Sequence, residues 1–268
     1  MSVKYDFSGR RVLVTGGAGA LGQSTVLKFL ESGATVVVLD KDTTNIHELL
    51  QQYPTCLETI TVDLTNWEET AKAISQALPI HHLVNNAGIP GPALPFLQIR
   101  PEDVDKVLDI NFKAMINVSQ AVAAGMIEGN FGGTIVNISS VMSSMAYKKL
   151  TLYCASKAAV SMLTKSMALE LAQHNIRVNS ISPTIMATNM TMPAPANTTG
   201  ESSTPTSTEK TDNEPRITNL MRTLLSKQIV KRFLTTEETA NLILYLSSTA
   251  SEMIVGEDIF IDAGIFSN

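Results

Sequence analysis

The chain has 268 residues, 44% of them hydrophobic and 17% charged, which is enough for one large domain with a substantial core. Its formal net charge of −5 disfavours a nucleic-acid partner, because phosphate binding requires a concentration of basic side chains. Two cysteines and four histidines, of which only His81 and His82 are neighbours, predict neither a disulfide framework nor a metal site. The sequence shows no signal-like or membrane-length apolar run, so we expect a cytoplasmic protein with no membrane partner.

Short β-branched segments alternate with helical patterns along the chain, which predicts a parallel sheet covered by helices on both faces. The predicted strands are residues 11–14, 35–39, 57–62, 80–85, 134–138, 177–181 and 258–262. The predicted helices are residues 21–32, 101–128 and 153–174, with a shorter one beginning at the capping box of Thr235 and Glu238. We therefore predict an α/β fold in which residues 1–268 form a single domain, a Rossmann-like, doubly wound sheet of seven mainly parallel strands.

Residues 193–215 interrupt this alternation. They are rich in threonine, serine, proline, asparagine and glutamate and contain no leucine, isoleucine, valine or aromatic residue, which predicts a mobile surface segment. An incidental insertion and a lid over a ligand site are equally consistent with its position between a strand and a helix.

A glycine-rich turn joins the first predicted strand to the first predicted helix. It contains Gly16, Gly19 and Gly22, and Leu21 lies in the opening turn of the helix. Glycines let a backbone approach a pyrophosphate, which then lies at the positive end of the helix dipole. A tight turn without a ligand is the alternative, but the strand–turn–helix context favours a dinucleotide site.

Further candidate cofactor residues follow the next strands, on the side of the sheet where such folds bind ligands. Asp40 ends the second strand at the spacing of an acid that binds the ribose 2′-hydroxyl, which favours NAD over NADP. An ordinary surface acid is the alternative, and the neighbouring Lys41 would soften repulsion of a 2′-phosphate, so NADP stays possible. The remaining candidates, at the ends of the third and fourth strands, are Asp63, Leu64, Asn86, Ala87 and Gly88.

Tyr153 and Lys157 lie four residues apart, on one face of a predicted helix. A free tyrosine has a pKa of about 10, and a fixed ammonium nearby is expected to lower the pKa of Tyr153. Such pairs are common on surface helices, so the pair alone is weak evidence for a catalytic site. Ser140 ends the fifth strand just before this helix, and Asn111 places a polar side chain in an apolar helical stretch, where it needs a reason.

Taken together, these motifs resemble the short-chain dehydrogenase/reductase family, and within it the L-xylulose (dicarbonyl) reductase branch. The matching segments occur in family order over nearly the whole chain: residues 15–22, 85–88, 111, 136–140, 153–157 and 177–183. The resemblance implies an NAD(P)-dependent enzyme that moves a hydride between a nicotinamide cofactor and a small carbonyl or secondary alcohol, such as a sugar, polyol or α-dicarbonyl. It also implies a homo-oligomer, a tetramer or a dimer.

The resemblance also assigns roles to particular residues. Tyr153 would be the general acid/base and Ser140 would stabilise charge on the substrate oxygen, whereas Ser139 would be structural. Lys157 would hold the nicotinamide ribose, and Asn111 would position a water that links Lys157 to solvent. Two further cofactor contacts are implied after the sixth strand, Ile185 at the carboxamide and Thr188 at the diphosphate.

Three departures and two alternatives remain. Ala20 stands where the family has glycine, and we expect cofactor binding to survive this change. Gly19 and Asp40 lie where L-xylulose reductases carry basic residues, and the insertion of residues 193–215 lies where the family builds its substrate-binding lid. A 3-oxoacyl, steroid or other carbonyl reductase of the same family is an alternative that the loop of residues 141–152 would decide. A non-catalytic dinucleotide-binding protein is the alternative from another class, disfavoured because all four catalytic positions are filled.

Overall fold

A computed structural model of the chain describes residues 5–186, 188 and 214–267, and within them seven strands form one sheet. The strands are β1 (Arg11–Thr15), β2 (Thr35–Asp40), β3 (Leu57–Thr61), β4 (His82–Asn85), β5 (Gly133–Ile138), β6 (Ile176–Pro183) and β7 (Asp258–Ile261). Their order is β3-β2-β1-β4-β5-β6-β7, so the direction of winding reverses between β1 and β4. Every neighbouring pair is parallel, which confirms the predicted fold class and makes "mainly parallel" too cautious.

The helices of the described residues are α1 (Ala20–Glu31), α2 (His47–Gln52), α3 (Trp67–Ala77), α4 (Pro101–Leu108), α5 (Ala114–Glu128), α6 (Thr151–Leu171), α7 (Glu214–Lys227) and α8 (Thr236–Ser247). The single helix predicted over residues 101–128 is wrong in one respect, because a π-helical turn at Asp109–Lys113 separates α4 from α5. The capping box before α8 is confirmed: Glu238 N donates to Thr235 Oγ1 at 3.1 Å, and Thr235 N donates to Glu238 Oε2 at 2.9 Å.

The predicted mobile segment, residues 193–215, lies outside the described residues as far as residue 213. Its last two residues begin α7 instead of belonging to an irregular segment. Helices α2, α3 and α7 were not predicted from the sequence.

The sheet is buried on both faces because β-branched and aliphatic side chains alternate along its central strands. On one face, Val12 and Val14 of β1 belong to a cluster with residues of α1 and α8. On the other face, Leu13 of β1 belongs to a cluster with residues of α3, α5 and α6. Helices therefore cover both faces, as a doubly wound sheet requires. No helix within the described ranges has the length and hydropathy needed to cross a membrane.

The turn between β1 and α1 is packed so closely that neighbouring backbone atoms exclude a side chain at two of its glycines. Gly16 has a φ of +62°, and a Cβ there would lie 2.9 Å from the Cα of Ala87 after β4. A Cβ on Gly22 would overlap the carbonyl oxygen of Gly16. Gly19 is different, because its nearest neighbour would be 3.4 Å away. Helix α1 can therefore begin directly against the backbone of the turn only because Gly16 and Gly22 carry no side chain.

We expect Gly22→Ala to lower the free energy of unfolding by about 1–3 kcal/mol, because the new methyl meets backbone atoms that cannot yield. The matched control is Gly19→Ala, in the same turn, which we expect to cost less than about 1 kcal/mol. Urea unfolding of the cofactor-free protein measures both. Equal stability of Gly22→Ala and the wild type would contradict this account of the turn.

Candidate active site

A cleft of about 1170 Å³ opens at the carboxyl ends of the strands, next to the reversal of winding between β1 and β4. This is where open α/β sheets bind ligands. The predicted cofactor residues that line the cleft are Gly16, Gly19, Leu21, Asp40, Asp63, Leu64, Asn86, Ala87, Gly88, Tyr153, Lys157, Ile185 and Thr188. Gly22 does not line it and acts by its close packing behind Gly16.

The glycine turn is tied to the segment after β4 by hydrogen bonds in both directions. The Thr15 hydroxyl accepts from the backbone N–H groups of Asn86 and Ala87, at 3.0 and 3.1 Å. In return, Asn86 Nδ2 donates to the carbonyl oxygens of Thr15 and Gly16, at 3.0 and 2.9 Å. The Asn86 side-chain amide therefore stabilises the glycine turn, and in this way it fixes the position of the backbone that lines the cleft.

Two acids line the cleft at the ends of β2 and β3. The Asp40 carboxylate accepts from Ala18 N of the glycine turn at 3.1 Å, so the end of β2 is fixed against that turn. Asp63 accepts from Thr65 N at 2.9 Å and from the Thr65 hydroxyl at 2.7 Å, and these bonds hold the pKa of Asp63 below its usual value. Lys41, beside Asp40, also lines the cleft.

The two serines at the end of β5 have different partners. Ser140 Oγ accepts from Met142 N at 3.1 Å, and Ser140 lines the cleft and is hydrogen-bonded to Tyr153. Ser139 Oγ instead donates to the Lys157 carbonyl oxygen at 3.0 Å, which joins β5 to α6. Ser139 also lines the cleft, and its structural role stays a prediction.

Lys157 is buried at the end of β5, with 4% of its surface exposed. Its Nζ donates to the Ile138 carbonyl oxygen at 2.7 Å and lies 5.8 Å from the centre of the Tyr153 ring. Burial disfavours the charged form and lowers the pKa of Lys157 to about 8. A pKa of that size leaves the ammonium mostly charged at neutral pH.

The direction of the Tyr153 shift corrects the sequence-based expectation. Burial raises the pKa of Tyr153 above its usual value, and the hydrogen bond with Ser140 only partly opposes this. The predicted lowering of this pKa by Lys157 is wrong, because desolvation of the buried phenol is the largest influence on it and Lys157 Nζ, 5.8 Å from the ring centre, does not offset that cost. In this state of the protein, Tyr153 is a protonated phenol at neutral pH.

Asn111 lies in the π-helical turn, fully buried, and does not line the cleft. Its Oδ1 accepts from Ile89 N at 2.8 Å, and its Nδ2 donates to the Ile89 carbonyl at 3.0 Å and to Ser156 Oγ at 3.0 Å. Ser156 in turn donates to the Tyr153 carbonyl at 2.8 Å. A polar side chain is therefore required here, because Asn111 joins the segment after β4 to the turn of α6 that carries Tyr153. The water that Asn111 was predicted to position stays a prediction.

The residues of the cleft fit a dinucleotide. Gly16 leaves bare backbone at the turn, and α1 begins there with Gly19 and Ala20 exposed, which suits a pyrophosphate at a helix N-terminus. A Cβ on Gly88 would lie 3.3 Å from Asn111 Oδ1 and 3.5 Å from Lys157 Nζ, so glycine there keeps the approach to the ammonium open. No group of three metal-ligating side chains occurs among the residues that the structure describes.

An acid that sequence reasoning did not single out lies beneath the site. Asp258 of β7 accepts from Ser180 and Ser182 of β6 at 2.9 and 2.8 Å, and from Ser161 of α6 at 2.6 Å. Ser161 is 3.0 Å from the Ser139 hydroxyl. One carboxylate therefore joins β7, β6, α6 and, through Ser161, the end of β5. Only the register of the parallel pair, which puts Ser180 opposite Asp258, reveals this contact.

A wholly parallel Rossmann-like sheet, a glycine turn at its switch point, and a tyrosine and lysine in the same cleft define the class of protein: a nicotinamide-dependent oxidoreductase. The family model described as short chain dehydrogenase matches residues 10–199, and a second, described as enoyl-(acyl carrier protein) reductase, matches residues 201–266. The chain belongs to the short-chain dehydrogenase/reductase family, on the L-xylulose reductase branch, and is an NAD(P)-dependent oxidoreductase.

Similar proteins extend over the whole chain. Carbonyl reductase (NADPH) 2 of Sus scrofa is 37% identical over 266 residues, covering 99% of this chain and 100% of the relative. L-xylulose reductase of Mesocricetus auratus is 37% identical over 257 residues, covering 96% of each. The solved structure of a gluconate 5-dehydrogenase from Burkholderia cenocepacia, in complex with NADP and tartrate, is 26% identical and superposes with a TM-score of 0.84 over 99% of this chain and 98% of that one.

We expect Asp258→Ala to lower the free energy of unfolding by about 3 kcal/mol, because three hydroxyls lose a charged acceptor and those of Ser180 and Ser182 are buried. Asp42→Ala is the matched control: Asp42 also accepts two hydrogen bonds, both from Thr44, but at an exposed site. At that exposed site water can replace the carboxylate, so the free energy of unfolding should fall by less than about 1 kcal/mol. Urea unfolding compares the two variants, and losses of equal size would contradict the role of Asp258.

Proposed function

We propose that Tyr153 is the general acid/base of an enzyme that reduces a small carbonyl compound or oxidises the corresponding secondary alcohol. The observation that carries the proposal is the convergence of Tyr153, Ser140 and Lys157 on one cleft. Bound nicotinamide would supply or accept the hydride. Relatives named carbonyl reductase and L-xylulose reductase support a carbonyl or sugar substrate.

In the direction of reduction, Tyr153 donates its proton to the carbonyl oxygen of the substrate. Its raised pKa suits this role, because the phenol stays protonated until the oxygen gains charge. Ser140 donates a second hydrogen bond to that oxygen. Since Ser140 Oγ accepts from Met142 N, its hydroxyl proton remains available on the side of Tyr153 and the cleft.

Lys157 and Asn111 support Tyr153 in different ways. One of the three N–H groups of Lys157 donates to Ile138. The remaining two would bind the ribose hydroxyls of the nicotinamide nucleoside, and the ammonium charge would stabilise the phenolate left after proton transfer. Asn111 would hold the turn of α6 that carries Tyr153, through Ser156, and would position the water that returns a proton to Lys157.

We expect Tyr153→Phe to lower kcat about 1000-fold, because the phenyl ring keeps the packing but cannot transfer a proton. Binding of NADH, followed by its fluorescence, should change by less than about threefold, because the ring is retained. Tyr245→Phe is the matched control, since Tyr245 is also partly buried but does not line the cleft, and the kcat of this variant should stay near the wild-type value. If Tyr153→Phe retains more than about a tenth of wild-type turnover, Tyr153 is not the proton donor.

For the cofactor, we propose a preference for NAD over NADP. Support comes from Asp40, whose carboxylate lines the cleft at the end of β2 and would repel a 2′-phosphate. Lys41 and the NADPH in the name of the Sus scrofa relative favour the alternative, NADP. A carboxylate fixed by the glycine turn cannot swing away from a phosphate, and for that reason we favour NAD.

We expect Asp40→Asn to shift the ratio of the NADPH and NADH dissociation constants at least about tenfold toward NADPH, because a repulsive charge is removed. Asparagine keeps an oxygen to accept from Ala18 N, so the turn stays in place. Asp42→Asn is the control, a neighbouring acid that does not line the cleft, and should leave the ratio unchanged. Fluorescence titration measures both constants. Tighter binding of NADPH than NADH by the wild type would show that the assignment of Asp40 is wrong.

We also propose that the chain forms a homo-oligomer, a tetramer or a dimer, with small molecules as its other partners. Support comes from the edge strand β7, where Phe260 and the nearby Phe266 pack edge to face with ring centres 4.9 Å apart and remain 37% and 44% exposed. Sedimentation of the purified protein tests this, and a monomer at micromolar concentration would contradict it. A cytoplasmic location stays a prediction.

A further inference from the structure

A fully buried amide lies where α7 ends. Gln228 directly follows the helix, has 0% of its surface exposed and does not itself line the cleft. Its side-chain oxygen accepts from the Thr184 hydroxyl at 2.8 Å, and its nitrogen donates to the carbonyl oxygens of Val230 and Arg232 at 3.2 and 3.0 Å. The opposite orientation would set the amide oxygen against those two carbonyl oxygens, so the partners determine the orientation. Both N–H groups and the oxygen of the amide therefore have partners.

On one side, Gln228 holds the segment that follows β6. Thr184 is 4% exposed, and both Thr184 and Ile185 line the cleft. Thr184 N donates to the Ile261 carbonyl oxygen at 3.0 Å, and the Ile185 carbonyl oxygen accepts from Leu234 N at 3.1 Å. The segment after β6 is therefore attached to the chain after α7 at two points, and the Gln228 side chain supplies one of them.

On the other side, Gln228 continues α7. Its backbone N–H donates to the Leu224 carbonyl oxygen at 3.0 Å, in the last turn of the helix. Leu224 and Leu220 line the cleft, and they belong to one apolar cluster with Ile185 and Tyr153. One residue thus fixes α7 through its backbone and the segment after β6 through its side chain.

Packing alone does not require an amide at this position. A methionine would fill a similar volume without placing polar atoms in the interior, where an unpaired amide is costly. Hydrogen bonds differ from packing in that they fix distances and directions between the groups they join. The amide of Gln228 therefore sets the position of Thr184 relative to the end of α7 more precisely than an apolar side chain would.

We propose that Gln228 is a positioning residue for the nicotinamide half of the cofactor. It would hold Thr184 and Ile185, on one side of the cleft, at a fixed distance from α7 on the other. The inference rests on the proposed function, because it places the nicotinamide in the part of the cleft next to Tyr153. The adenosine half would lie at Asp40 and the glycine turn, which share no hydrogen-bond partner with Gln228 among the described residues.

The proposal predicts a loss of affinity confined to one half of the cofactor. The probes are NADH and ADP-ribose, which share the adenosine diphosphate and differ in the nicotinamide. Gln228→Met keeps the length of the side chain and removes its three hydrogen bonds. We expect the dissociation constant of NADH to rise about tenfold and that of ADP-ribose to rise less than about threefold. Fluorescence titration measures the first constant and titration calorimetry the second.

Asn179→Leu is the matched control, because Asn179 is also a buried amide, 1% exposed, and does not line the cleft. Its Nδ2 donates to the Ile254 carbonyl oxygen at 2.8 Å, and its Oδ1 accepts from Glu257 N at 3.0 Å. Both variants lose buried hydrogen bonds, so urea unfolding should show lower stability for each. Only Gln228→Met should weaken NADH binding, whereas Asn179→Leu should change it less than about twofold.

Thr184→Val tests the same hydrogen bond from its other end. The variant removes the hydroxyl and keeps the shape of the side chain, so NADH binding should weaken and ADP-ribose binding should not. The double variant with Gln228→Met should bind NADH no more weakly than Gln228→Met alone, because the two changes remove one shared bond. If Gln228→Met does not fold, Thr184→Val alone decides the test with the same two probes.

The outcomes separate this inference from the proposed function. Unchanged NADH binding by both Gln228→Met and Thr184→Val overturns the positioning role, and so does equal weakening of NADH and ADP-ribose. A tenfold loss of NADH affinity in Asn179→Leu also overturns it, because any buried amide would then have the same effect. In each of these cases, turnover that depends on Tyr153 leaves the proposed function standing. Failure of the wild type to bind NADH contradicts both.

Discussion

The site depends on a buried cation. Lys157 is almost wholly removed from solvent and is held at the end of β5 by one hydrogen bond, from its Nζ to the Ile138 carbonyl. Burial is unfavourable for an ammonium, and the lowered pKa of Lys157, about 8, reflects that cost. The same burial raises the pKa of Tyr153, so one desolvated environment disfavours charge on both residues. The phenol of Tyr153 therefore resists ionisation, and the ammonium of Lys157 beside it loses its proton more easily than a free lysine. Such a phenol is suited to donating its proton only when negative charge develops on a substrate oxygen.

Keeping this environment rigid requires ties from several elements. Asn111 joins the segment after β4 to α6 through Ile89 and Ser156. Asp258 joins α6 to β6 and β7 through three serine hydroxyls. These polar side chains lie under the site, not in it, and their hydrogen bonds are satisfied within the protein. Helix α6 is thereby located relative to the sheet by hydrogen bonds as well as by packing, and a catalytic geometry needs that precision.

Much of the fold could be predicted because its signals are local. Runs such as Thr35–Asp40 are β-branched and flanked by turn residues, and Gly16 marks a turn that only glycine can make. Most of the candidate site followed from the same logic, since the carboxyl ends of parallel strands meet at one edge of the sheet. Helix α7 was missed although Leu220, Met221 and Leu224 recur at helical spacing, because they directly follow a long polar segment. Leu220 and Leu224, which line the cleft, were missed with it.

Other features depend on the folded structure and could not be read from local pattern. The π-helical turn at Asp109–Lys113 carries Asn111, whose partners Ile89 and Ser156 are distant in sequence. The contacts of Asp258 depend on the register between β6 and β7. The sign of the Tyr153 shift was predicted incorrectly because spacing reveals a neighbouring charge but not the loss of solvent around it. Sequence reasoning thus identified the reacting groups, and the structure was needed to assign their protonation states.

The ionisation of Tyr153 tests this account most directly. Tyrosinate absorbance, taken as the difference between the wild type and Tyr153→Phe, would be followed against pH without cofactor and again with saturating NAD⁺. The account predicts a pKa above the usual value of about 10 for the free protein, and a lower pKa once the positively charged nicotinamide is bound beside the phenol. A pKa below the usual value in the free protein, unchanged by NAD⁺, would contradict it.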